Sequence, residues 1–367
     1  MLTDTARPIL RKTPVFLTAG ILFVCGAAFN GCSPDKDVNP TGGASVNLPV
    51  LNDDYTPALP APQPQADANE KENFHIYLAF GQSNMEGQNP NYASDFTSAA
   101  ATKYKQNVNK RFRVMTAVAG SYKIAGGTEN RKQGEWYTAV PPLIRNNLGL
   151  SPADYFGRTL VAGIADTNIK IGIIAVAVAG CAIEGLEKGS SASNYFNSLT
   201  GTIAQVIKPI AAIYDNSPYT RLVTLAKEAQ KVGVIKGVIM HQGESGAAGG
   251  NGVWAQKVKG IYDNLLSDLG LPANSIPFLV GEPVITASDP NQNNATLIRG
   301  ITNTMKDKLP GGEPVAHVIP SNGCTDMGDN LHFSYDGYEK LGIRYGEKML
   351  ELNYKNKGPT SIAPAKR

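Results

Sequence analysis

From residue 71 onward the chain alternates between two kinds of apolar pattern. Short, continuous, β-branched runs occur at 75–80, 171–178, 234–240, 278–280 with its neighbours, and 316–319. Elsewhere, apolar positions recur at helical spacing over 155–165, 219–231, 254–269, 295–309 and 337–354. A run that is apolar on both faces suits a strand covered on both sides, and amphipathic helices supply the cover. The pattern predicts an α/β fold: a three-layer α/β/α sandwich around a mostly parallel, five-stranded, flavodoxin-like sheet with right-handed connections. No repeat of fixed period is present.

One stretch, 88–168, departs from this rhythm. It holds Gly126-Gly127, Gly134-Glu135-Trp136 and Pro141-Pro142. A connection of this length is usually functional. Trp136 and Tyr137 are expected either to line a sugar-sized cleft or to belong to a structural excursion packed against the sheet edge.

The N-terminal region reads as a leader. Arg7, Arg11 and Lys12 precede an apolar run over 15–29 and then Cys32. That run is short for a membrane span and suits a secretory signal. Phe29-Asn30-Gly31-Cys32 resembles a relaxed bacterial lipobox, with Phe29 where Leu is usual. The expectation is a signal peptide over 1–32 ending at a lipidated Cys32; cleavage near Ala27-Ala28 without lipid is the alternative. Residues 33–70, with Pro57, Pro60, Pro62 and Pro64, read as a flexible Pro-rich linker. A catalytic-sized domain then spans 71–355, and 356–367 is expected to be a disordered tail. The expected location is outside the cytoplasm: lipid-anchored to a bacterial outer membrane or cell surface, otherwise periplasmic or secreted.

Composition narrows the function. The 367 residues are 42% apolar, enough for a sizeable core, and carry a net charge of +3 from 34 basic and 31 acidic residues. No basic block stands out, so nucleic-acid binding has no electrostatic support. The expected membrane contact is the lipid anchor alone, and no protein partner is evident. With Cys25 and Cys32 in the leader, Cys181 and Cys324 remain. An exported setting permits a bridge between them; two buried free thiols are the other expectation.

The candidate chemistry lies at strand ends. The first strand runs into Gly81-Gln82-Ser83-Asn84-Met85, the second into Gly180-Cys181-Ala182-Ile183-Glu184, the third into His241-Gln242-Gly243-Glu244-Ser245. Open α/β sheets bind ligands at the carboxyl ends of their strands. Near the C-terminus stands Asp329-x-x-His332-Phe333. A Ser hydroxyl needs a base, and His titrates in the right range. The imidazole must be held by a carboxylate on its other nitrogen, and three-residue spacing lets one short loop supply both. A developing oxyanion needs donors. The Ser83 N–H, the Gly180 N–H and the Gln242 side-chain amide are candidates.

These four blocks, in this order, resemble the carbohydrate-esterase branch of the SGNH hydrolases, which includes sialate O-acetylesterases and the acetyl xylan esterases of carbohydrate esterase family 6. The likeness covers roughly 73–350. It implies Ser83 as nucleophile, His332 as base, Asp329 as orienter, and Ser83, Gly180 and Gln242 as oxyanion donors. It also implies an SGNH-type sheet and an acetylated carbohydrate as substrate, with no cofactor. The third block carries Gln242 where most of the superfamily has Asn, although this branch normally has Gln. Cys181 stands where the branch often has a small residue, which leaves the acyl pocket's fine shape open.

Other residues carry weaker expectations. Gln82, Asn84, Glu244 and Trp136 are candidates to touch or support the substrate, and Glu244 could replace Asp329 as orienter. Glu184 reads as a loop-fixing ion-pair partner. His75, His241 and His317 read as structural. Gly243-Glu244-Ser245-Gly246-Ala247 misses the last glycine of a nucleophile elbow. Scattered histidines give a metal site little support. The competing function is a non-catalytic glycan-binding surface lipoprotein with an esterase-like fold.

Overall fold

Eight consecutive buried residues, Phe74–Gly81, form strand β1 at the middle of the molecule. Its side chains alternate between two cores, with Phe74, Ile76, Leu78 and Phe80 in one and Tyr77 and Ala79 in the other. That period of two is what a strand buried on both faces must show. Fully burying such a side chain is worth about 1.5–3 kcal/mol, so β1 holds both layers together.

The computed structural model describes residues 68–87, 109–124, 127–245, 253–285 and 291–354. The expected signal peptide, Cys32, the tail and nearly all of the linker lie outside the described residues, as does part of 88–168.

Among the described residues there are eight further strands: β2 Phe112–Met115, β3 Gly120–Ile124, β4 Gly127–Arg131, β5 Trp136–Thr138, β6 Lys170–Ala177, β7 Val234–His241, β8 Phe278–Gly281 and β9 Ala316–Ile319. Among them the main sheet has seven strands, in the order β5-β2-β6-β1-β7-β8-β9. Its five expected strands, β6-β1-β7-β8-β9, follow the flavodoxin-like order, whose switch point lies between β1 and β7. The count of five is corrected to seven. β2 joins β6 in parallel, and β5 closes that edge antiparallel to β2. Both are short strands from the irregular stretch, too brief to show a period. Among the described residues β3 and β4 pair only with each other.

Helices cover both faces. They are α1 Pro152–Gly163, α2 Ser190–Ser198, α3 Gly201–Ile213, α4 Pro218–Ala229, α5 Val253–Asp268, α6 Asn291–Arg299 and α7 Tyr335–Tyr354. α4 and α5 bury their apolar stripes in the Phe80 core, α1 and α7 in the Tyr77 core. α7 meets α1 at Gly342 and Gly346, where an added Cβ would lie 2.5 Å from Pro152 O and from Thr159 Cβ respectively. The pattern expected over 295–309 breaks at Gly300, after α6, into a short turn Ile301–Thr304. α2 and α3 were not expected: α2 is largely polar, and α3 contains Pro209.

Cys181 and Cys324 are both free and buried. They belong to different cores on opposite faces of the sheet, so of the two expectations the structure has the buried free thiols and not the bridge.

Register brings the strand ends to one level. Gly81 sits opposite Ala177 of β6 and opposite His241 of β7. The residues that follow each strand therefore emerge along one rim.

Candidate active site

The rim begins with a close backbone approach. A Cβ on Gly81 would lie 2.1 Å from the His241 carbonyl oxygen, so only glycine fits there. The Gln82 N–H then donates to that same oxygen at 3.0 Å. The chain turns at once into one helical turn, Ser83–Glu86, closed by Gly87 at φ 86°. Ser83 is 4% exposed. Among the described residues its N–H has no protein acceptor, and neither has the Gly180 N–H. Gly180 has φ 74°, a left-handed conformation that glycine adopts freely.

A second loop carries the imidazole. Asp329 Oδ2 lies 2.7 Å from His332 Nδ1. Asp329 Oδ1 accepts from the His332 N–H at 2.8 Å and from the Leu331 N–H at 3.0 Å. Partial burial pushes the Asp329 pKa up, but these hydrogen bonds and the His332 ring outweigh it and hold the carboxyl below its ordinary value. His332 therefore has Nδ1 engaged by a carboxylate, which leaves Nε2 to take and return protons. The His332 side chain is 20% exposed, so it is open to a reactant.

The two loops meet through Asn84. Its Nδ2 donates to Leu331 O at 2.9 Å and to Glu244 Oε1 at 2.7 Å. Its Oδ1 accepts from the Phe333 N–H at 3.1 Å and from the Tyr338 hydroxyl at 2.9 Å. The residue after Ser83 is thus bonded to the residues on both sides of His332.

Gln82 and Gln242 knit the first and third blocks. Gln82 Oε1 accepts from Gln242 Nε2 at 3.2 Å and from the Ser245 N–H at 3.2 Å. The Trp254 indole donates to Gln242 Oε1 at 2.5 Å, which fixes the sense of the amide. Gln242 Nε2 also lies 3.3 Å from Cys181 O and from Ser245 O. Its two hydrogens thus face three protein acceptors.

Glu86, unremarked in the sequence, holds the second block. It is fully buried. Its Oε1 accepts the Ala179 N–H at 3.1 Å and its Oε2 pairs with Arg145 at 2.9 Å. An acid inside a buried turn was the available signal; Arg145, from the irregular stretch, offered none.

The remaining candidates fall elsewhere. Trp136 is 2% exposed and packs on Phe74, centroids 4.7 Å apart, at the amino end of β1. It cannot line a cleft at the opposite rim, so that expectation is corrected; Tyr137 is buried as well. Glu244 is buried beside His241, with Nε2 3.1 Å from Glu244 Oε1, and does not contact His332. Burial raises the Glu244 pKa, yet His241 and the Asn84 amide bring it below its ordinary value. Glu184 pairs with Lys257 at 2.6 Å. His75 bonds Glu72 O and Tyr354, and His317 bonds Pro314 O. Among the described residues no cluster of three or more His, Cys, Asp or Glu is placed to hold a metal ion.

A family model described as carbohydrate esterase, sialic acid-specific acetylesterase, matches residues 73–351. Among solved structures, the chain is similar to a protein from Arabidopsis thaliana, at TM-score 0.53 and 19% identity, over 76% of this chain and 98% of that one. This is a likeness of fold. It also aligns with XAC1771, a carbohydrate acetylesterase from Xanthomonas citri, at TM-score 0.49 and 18% identity, over 76% of this chain and 56% of that one. NanS aligns at TM-score 0.48 and 16% identity, over 77% and 98%. On the extent of the family match, this chain belongs to the sialic acid-specific acetylesterase family of carbohydrate esterases, and is an esterase.

Proposed function

We propose that the chain removes O-acetyl groups from a glycan through an acetyl-enzyme formed on Ser83. One observation carries the reading: an imidazole held by Asp329 at 2.7 Å rides on a loop hydrogen-bonded to the residue after Ser83. His332 Nε2 takes the Ser83 proton as Oγ attacks the acetyl carbonyl. The Ser83 and Gly180 N–H groups receive the oxyanion. His332 then protonates the departing sugar oxygen, and a water activated by the same base clears the acetyl group. The Gln242 side-chain amide, which also reaches the Cys181 carbonyl at 3.3 Å and so the Gly180 loop, is the third donor.

For the substrate, the family's description makes O-acetyl sialic acid the first candidate, with acetylated xylan as the comparison. Release of acetate from both, by the purified wild type and by Ser83→Ala, tests the reading. The expected result is release from O-acetyl sialic acid that the substitution abolishes. A wild type no faster than Ser83→Ala on every acetylated glycan would leave a glycan-binding protein instead. We propose also that the chain is exported and anchored through a lipid on Cys32. Mass analysis of the mature N-terminus tests this: an unmodified terminus near Ala28 would refute the anchor.

A further inference from the structure

Asn84 has no hydrogen-bonding capacity left for a substrate. A side-chain amide offers two donors and two acceptor positions, and here Glu244 Oε1, Leu331 O, the Phe333 N–H and the Tyr338 hydroxyl take all four. The side chain is completely buried. Two of those partners are main-chain groups flanking His332. Further ties of the His332 loop are local, among them Asn330 N–H to Asp326 Oδ2 at 2.7 Å, Met327 N–H to His332 O and Ser334 N–H to Thr325 O, both at 2.9 Å, and the bonds to Asp329. These fix the loop's shape, and its place relative to Ser83 falls to Asn84, to the Phe333 ring and to the start of α7 at Tyr335. Phe333 seats its ring between His241 and Tyr338, an apolar contact with little directional demand.

We propose that Asn84 is the positioning residue that sets the separation of the Ser83 hydroxyl and the His332 imidazole, and that Glu244 is its counterpart, holding the Nδ2 end of the amide from the end of β7. This rests on the Ser83–His332 reading above. An ionised Glu244 and the Leu331 carbonyl can only accept, so both take Nδ2, while the Phe333 N–H and the Tyr338 hydroxyl take Oδ1. The buried pair thus links the ends of β1 and β7 to the base loop through one rigid group. The groups that face Glu244 besides Asn84 are the His241 ring, 3.1 Å from Oε1, the buried Tyr345 hydroxyl and the buried Cys181 thiol, so the pH readout is taken relative to wild type.

The test uses the full chain and p-nitrophenyl acetate, with kcat and KM measured from about pH 5 to about pH 9 and thermal midpoints recorded alongside. Asn84→Ala is expected to lose about 10²-fold in kcat, the scale of a roughly 1 Å misplacement, with KM nearly unchanged. Asn84→Asp sets two carboxylates against each other at high pH. It should recover relative to wild type on acidification, as the pair comes to share a proton. The double variant Asn84→Asp/Glu244→Gln exchanges donor and acceptor, and should regain part of the loss at high pH. Wild-type kcat in Asn84→Ala, or a loss expressed only in KM, overturns the proposal. If Asn84→Ala does not fold, a flat relative pH profile for Asn84→Asp, or no gain in the double variant, overturns it. Ser83→Ala in the same assay separates the two readings. An active Ser83→Ala refutes the nucleophile assignment, whereas an inactive one beside a fully active Asn84→Ala refutes only the positioning role.

Discussion

Asp329 makes three hydrogen bonds within its own loop, and only one of them reaches a ring nitrogen. Asp329→Asn keeps an oxygen for the two backbone N–H groups but can present an NH2 to Nδ1, favouring the wrong tautomer. In a serine protease that change costs about 10⁴ in kcat. With its side chain 42% exposed, Asp329 should cost less, and a loss of about 10²–10⁴ is expected with little change in thermal midpoint. Near-normal turnover would remove Asp329 from the machinery. The pairing was legible in the sequence because both members lie on one turn, where spacing dictates contact. Ser83 and Gly180 were legible for a related reason, each closing an apolar run. Glu86 and Arg145 were not: they lie far apart in sequence, and no local pattern links them. Trp136 misled because an aromatic in an irregular stretch looks the same whether it lines a cleft or fills a core.

At the scale of elements, the proposed catalysis depends on how tightly β1 and β7 approach at their carboxyl ends. Gly81→Ala puts a methyl carbon 2.1 Å from the His241 carbonyl, where only backbone displacement can relieve the clash. Overpacking of this kind costs about 1–3 kcal/mol. Here it also spreads the strand ends that carry Ser83 and Gln242. Both the urea midpoint and kcat should fall; a variant as stable and active as wild type would show that the approach is not required. The strand rhythm was readable because each of the five apolar runs is bounded by polar or glycine-rich sequence. The seven-strand sheet was not, since β2 and β5 are fixed by pairing partners rather than by any pattern of their own. Nor could sequence tell that the two cysteines, each beside the same rim, lie on opposite faces of the sheet.

Across the molecule, depressed carboxyls tie stability to pH; among the described residues Asp268, held down by its bonds to Lys188 and Tyr219, joins the two at the candidate site. Asp329 and Glu244 both have folded pKa values below their ordinary ones. Such a group contributes stability that is fully present above its unfolded pKa, about 4 for these side chains. The contribution is lost as pH falls through the lower folded value, because the unfolded chain then binds the proton more readily. The buried Glu244 should matter more. The urea midpoint of the wild type is expected to fall on acidification below about pH 5, and Glu244→Gln should flatten that slope. An unchanged slope would mean that Glu244 titrates alike in both states.

The strand on which both layers rest is also the first of the main sheet to be synthesised. β1 pairs with β6 and β7, so both its edges stay open until the ribosome has delivered residues as distant as Ile171 and Val234. Contacts this remote in sequence form slowly, and an unpaired apolar strand is a template for association with other chains. Until then the chain needs shielding from its neighbours, and a holding chaperone should raise recovery of the folded protein; equal recovery with and without one would count against this.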